Sequence, residues 1–82
     1  LSCSVNGEMR QASTTSDMIF TIAEVVHYVS QCMELFPGDI INTGTPAGVA
    51  MGMTPTRYLA AGDVVETTIE NLGTIRSTCV AG

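Results

Sequence analysis

Pro37-Gly38-Asp39-Ile40-Ile41-Asn42-Thr43-Gly44-Thr45-Pro46-Ala47-Gly48-Val49 is the stretch on which the reading of this chain turns. Pro37-Gly38 closes a connection, Asp39 to Thr43 is expected as a short apolar strand, and Thr43 to Val49 as a loop of Thr, Gly and Pro. Loops of that kind bring backbone N–H groups and hydroxyls to a strand end, where a small anion can be held. Gly44 lets the backbone turn sharply and approach a ligand. Thr45 offers a hydroxyl and an N–H in one place, and Pro46 fixes its own φ while pushing Thr45 towards an extended conformation. An ordinary turn between strands has the same composition, so spacing alone leaves both readings open.

Before this stretch, Leu1, Cys3 and Val5 alternate with Ser2 and Ser4, the pattern of a half-buried strand. Asn6-Gly7 favours a type I′ turn, which makes Glu8 to Ala12 the returning arm of a hairpin. Ser13 to Ser16 read as a loop. Thr21 and Glu24 form a capping box, and Ile22, Val25, Val26 and Val29 recur at helical spacing. A helix from about Ile22 to Met33 with that face buried is expected. After the loop, Ala50 to Pro55 reads as flexible, Leu59 as an anchor, and Ala61-Gly62-Asp63 as a turn. Val64 to Glu70, the turn Asn71-Leu72-Gly73 and Thr74 to Val80 make a second hairpin. The fold class is mainly β with one helix, an α+β arrangement.

Composition narrows the function. The 82 residues carry a formal net charge of −5, and none of them is Lys. Arg10, Arg57 and Arg76 lie far apart, so no basic patch exists for nucleic acid. No apolar run approaches the roughly 18 residues a membrane helix needs. Hydrophobic residues make up 45% against 13% charged, and a unit this small buries only about 60% of its unfolded surface. Part of its apolar area is therefore expected to meet further sequence or another subunit. The chain opens at Leu1 in a strand-like pattern and ends on Ala81-Gly82, which reads as a segment of a longer protein. Cys3, Cys32 and Cys79 are odd in number and widely spaced. They are expected as buried free thiols in a reducing cytoplasm.

Other candidates are weaker. Glu66 and Glu70 share a strand face but no ligand set. Asp39 and Asp63 each follow Gly at a strand start, where a carboxylate caps a turn, and Glu8 also adjoins Gly. No metal ligand is assigned among them. His27 sits within the helix with no nucleophile placed beside it, and the cysteines lack a basic neighbour, so no catalytic residue is assigned. Met51 and Met53 flank Gly52, where they line a pocket edge, meet a subunit or fill a gap.

The ordered set Val5-Asn6-Gly7-Glu8 with Arg10-Gln11, Asp17-Met18-Ile19-Phe20, Leu35 to Asp39, Thr43-Gly44-Thr45-Pro46, Gly48-Val49, Gly52, Pro55, Tyr58-Leu59, Gly62-Asp63-Val64-Val65, Ile69-Glu70 and Leu72-Gly73 resembles the C-terminal portion of the fumarylacetoacetate hydrolase family. The resemblance covers nearly the whole chain. It implies that residues 1–82 are the C-terminal segment of such a catalytic domain, part of its mixed β-roll, with the N-terminal metal-binding part absent. It implies an enzyme that hydrolyses a C–C bond in an acylpyruvate or other 2,4-dioxo acid. Isomerases, decarboxylases and lyases of the same family, of the 2-hydroxyhepta-2,4-diene-1,7-dioate isomerase or ureidoglycolate lyase type, are the alternative. A non-catalytic segment serving assembly is the reading from a different class. The family's Mg²⁺ (or Mn²⁺ or Ca²⁺) is held by acidic residues upstream of this region, as is its active-site Lys. Thr45 carries over as a substrate-contacting residue and Gly44 as its backbone support. A cytoplasmic homodimer acting on a small 2-oxo acid is implied, with neither nucleic acid nor membrane as partner.

Overall fold

The computed structural model describes all residues from Leu1 to Gly82. They form two compact units, one of Leu1–Ser13 with Pro46–Gly82 and one of Thr14–Thr45.

The first unit is an antiparallel sheet of four strands, β1 (Ser2–Val5), β2 (Glu8–Ala12), β3 (Val64–Ile69) and β4 (Gly73–Thr78), in the order β2-β1-β3-β4. Both expected hairpins form. Asn6 and Gly7 take φ 52° and 79° at the first, the double positive φ of a type I′ turn. Asn71 at φ 66° and Gly73 at φ 116° make the second, closed by Leu72 N–H on the Ile69 carbonyl at 3.0 Å. β1 pairs with β3 from Ser2 opposite Thr68 to Val5 opposite Val65, which joins the hairpins into one sheet. The β1–β2 register slips by one between Cys3 and Ser4. Cys3 faces Gln11 while Ser4 faces Met9, so Arg10 is the extra residue of a β-bulge.

Asn6 fastens the hairpins together. Its N–H donates to the Val64 carbonyl at 2.8 Å, its side-chain oxygen accepts from Val64 N–H at 2.8 Å, and its Nδ2 donates to Asp63 Oδ1 at 2.9 Å. Asp63 Oδ2 accepts from Ala60 N–H at 2.9 Å, so both carboxylate oxygens are engaged. These bonds to the ionised form, first the one from Ala60 and then the one from Asn6, hold the Asp63 carboxyl below its ordinary 3.8, with Arg57 and Arg10 adding attraction against some desolvation.

The second unit carries a short 3₁₀ turn (Thr15–Asp17) and the helix α1 (Ile22–Cys32). The capping box forms as expected, with Glu24 N–H on Thr21 Oγ1 at 3.2 Å and Thr21 N–H on Glu24 Oε2 at 2.8 Å. The helix stops one residue short of the expected Met33, whose backbone is already extended. Its apolar face is not buried: Val25 and Val29 are half-buried, whereas Ile22 and Val26 are exposed. The buried face that the periodicity predicted is therefore not found on this helix.

Asp39 to Thr43 is not a strand. A strand exists only through ladder bonds to a neighbour, and all the pairing in this chain is among β1 to β4. Ile40 is 88% exposed and Ile41 half-buried, so the segment does not form the central strand expected of it. The turn before it does form. Asp39 N–H donates to the Phe36 carbonyl at 3.1 Å across Pro37 and Gly38, with Gly38 at φ 94°, the pattern of a type II turn.

Cys3, Cys32 and Cys79 are free thiols, but none is buried: Cys32 is exposed and the other two are half-buried. The exposure has the same origin as that of α1, because Val5 alone among the apolar residues is buried, at 8% exposure. No helix is long and apolar enough to cross a membrane.

Candidate functional site

The loop after Ile41 runs exposed through Asn42, Thr43, Gly44 and Thr45 to the half-buried Pro46. Gly44 stands at φ 140°, where an L side chain is strained, and a Cβ there would meet nothing within 4 Å. Its need for glycine is thus one of backbone conformation and not of space. Thr45 follows Gly44 as an exposed residue. A hydroxyl and an N–H on one residue suit an oxygen anion, since bonds to a charged acceptor are about twice as strong as neutral ones.

Beyond Thr45 the chain lies against the bulged strand β2. Gln11 Nε2 donates to the Pro46 carbonyl at 3.0 Å. Gly48, at φ 109°, passes so close to Arg10 that a Cβ would collide with the Arg10 carbonyl. Ala50–Gly52 turns once as a 3₁₀ helix, where flexible chain was expected, closed by Gly52 N–H on the Val49 carbonyl at 3.0 Å. Arg10 Nη1 then donates to Met53 Sδ at 2.7 Å, and Thr56 Oγ1 to the Met53 carbonyl at 3.1 Å. Met53 therefore accepts a hydrogen bond while Met51 is exposed. The Arg10 and Gln11 contacts were not expected from sequence; the signal available was the adjacency of two long polar residues on a strand, which a bulge can turn to one side.

Asp39, Asp63 and Glu66 are occupied locally. Asp39 Oδ2 accepts from Phe36 N–H at 2.8 Å, the same arrangement that Asp63 makes with Ala60. Glu66 lies opposite Arg76 in the ladder, with 3.4 Å between carboxylate and guanidinium. No three of the His, Cys, Asp and Glu residues converge as a ligand set. His27 accepts or donates within α1, with Nε2 at 3.1 Å from Gln31 Nε2. An open groove of about 430 Å³, floored by Val29, Met33 and Leu35, runs beside Ile40 and Ile41 and does not include Gly44 or Thr45.

The sequence pattern of the family described as "Fumarylacetoacetate (FAA) hydrolase C-terminal" matches residues 1–80. The chain belongs to this family. An oxaloacetate tautomerase of Bacillus subtilis (strain 168) is 51% identical over 71 residues, which is 87% of this chain and 24% of that protein. Among solved structures, a fumarylacetoacetate hydrolase from psychrophilic Exiguobacterium antarcticum superposes with TM-score 0.92 at 42% identity, over 99% of this chain and 29% of its own. A probable 2-hydroxyhepta-2,4-diene-1,7-dioate isomerase from Mycobacterium abscessus gives TM-score 0.84 at 47% identity, over 92% of this chain and 28% of its own. The chain thus spans about a quarter of the length of these relatives. Its relatives in the fumarylacetoacetate hydrolase family include a hydrolase, an isomerase and a tautomerase by name.

Proposed function

We propose that these 82 residues are the C-terminal segment of a catalytic domain that acts on a small 2-oxo acid through its enolate, and that its reaction is hydrolysis of the C–C bond of an acylpyruvate. The observation that carries this reading is Gly44 at φ 140° directly before Thr45, in a chain of this family. Thr45 holds one oxygen of the substrate with its hydroxyl and N–H. Those donors strengthen as negative charge grows on that oxygen, which lowers the barrier more than it tightens the ground state. Gly44 lets the backbone take the positive φ directly before Thr45. The resident cation, Mg²⁺ or else Mn²⁺ or Ca²⁺, and the carboxylates that hold it are assigned to polypeptide outside these residues. The protein is a cytoplasmic homodimer in this reading.

A second reading is favoured by the 51% identity with an oxaloacetate tautomerase. There the same enolate is reprotonated and no bond between carbons breaks. Assay of the protein carrying this segment against acylpyruvates, oxaloacetate and ureidoglycolate separates the two. Release of pyruvate and a carboxylic acid from an acylpyruvate supports hydrolysis, and loss of the enol absorbance of oxaloacetate without pyruvate supports tautomerisation. Thr45→Val should lower kcat/KM about 10²–10³-fold, the effect of removing one oxyanion donor, while Thr45→Ser should keep most of the activity. Parental turnover by Thr45→Val sinks the role given to this loop.

A further inference from the structure

The geometry points to the Arg10–Gln11 bulge of β2 as the device that positions the loop following Thr45. Three separate contacts converge on it. Gln11 fixes the Pro46 carbonyl at 3.0 Å, one peptide beyond Thr45. Gly48 rests against the Arg10 carbonyl with no room for a side chain. Arg10 Nη1 reaches Met53 Sδ, which closes the far end of the 3₁₀ turn. An unbulged strand would send Arg10 and Gln11 to opposite faces, because strand side chains alternate. The extra residue opposite the Cys3–Ser4 step allows neighbours in sequence to serve one loop.

Arg10 is ill suited to be a mere surface charge. Its side chain is 11% exposed, its Nε is buried without a hydrogen-bond partner, and the Glu8 carboxylate stands 3.9 Å away. A guanidinium is held in such a place only where its stem and its remaining N–H groups are used. Arg10 and Gln11 are therefore positioning residues: they touch the loop and act on substrate through Thr45. In that last step the inference rests on the reading of Thr45 given above.

The test is made in the protein carrying this segment, with Gln11→Met, which keeps the length and removes the donor. Amide hydrogen exchange of residues 47–53 should accelerate about 5-fold, the equivalent of one net hydrogen bond, while that of β3 stays at the parental rate. KM for the 2-oxo acid should rise severalfold with a smaller change in kcat. Gly48→Ala should accelerate exchange over the same residues. Should it fail to fold, Gln11→Met decides alone. Parental exchange rates at 47–53 in Gln11→Met overturn the proposal, and so does faster exchange with KM and kcat both unchanged. If the parent turns over none of the 2-oxo acids, the functional reading fails, and the exchange rates then decide whether the bulge holds the loop.

Discussion

Asn6 does more than turn a hairpin. Asn6→Gly keeps the positive φ but removes two side-chain bonds, to Asp63 and to Val64. At about 1 kcal/mol per net hydrogen bond, with two groups left unpaired, the variant should lose about 2 kcal/mol of stability, read as a lower urea midpoint. Asp63 ties the same corner to pH. Its carboxyl titrates below the ordinary 3.8 in the folded chain, so its contribution is complete above that value and is lost as pH falls through the lowered one. Urea midpoints followed downward from neutral pH should therefore show an acid limb that Asp63→Asn reduces. Aspartate after glycine announced a turn cap in the sequence, and both Asp39 and Asp63 are such caps. The partnership of Asn6 with Asp63 was not legible, because it joins residues 57 positions apart.

The capping box and the Asn-Gly turn were legible from neighbouring residues, whereas the bulge and the fate of residues 39–43 were not. The capping box needs only Thr21 and Glu24, and Thr21→Ala should cost about 1 kcal/mol and shorten α1, measured by helical circular dichroism. The type I′ turn needs only Asn6-Gly7. By contrast, Asp39 to Thr43 has the composition of a strand but no neighbour to pair with in this chain, so its β-branched residues leave it unpaired. The bulge left no trace in the hydrophobic pattern, since its extra residue is a charged one beside a polar one. For the candidate loop, glycine at 44 was explicable from sequence by its backbone, whereas glycine at 48 requires knowledge of where the Arg10 carbonyl lies.

Across the molecule, apolar surface is left uncovered on a scale that a self-sufficient domain does not tolerate. Ile19 is 92% exposed, Phe20, Phe36 and Tyr58 are exposed, and Val5 is the one buried apolar side chain. Hydrophobic burial is the main favourable term in folding, at about 25 cal/mol per Å². The isolated 82 residues should therefore self-associate with rising concentration in sedimentation experiments and unfold with weak cooperativity. They should also show no Mg²⁺-dependent cleavage of an acylpyruvate, since no three of their acids, thiols and histidine converge as a ligand set. Detectable cleavage by the purified segment refutes this.

Gly44 carries one last consequence, for chirality. Its φ of 140° is the mirror image of an ordinary extended residue of the L series, and the space around it is open. A chain assembled by chemical ligation with D-alanine at this point should keep the native φ, whereas its L enantiomer would be forced out of it. At this position, handedness and not bulk decides what the loop accepts.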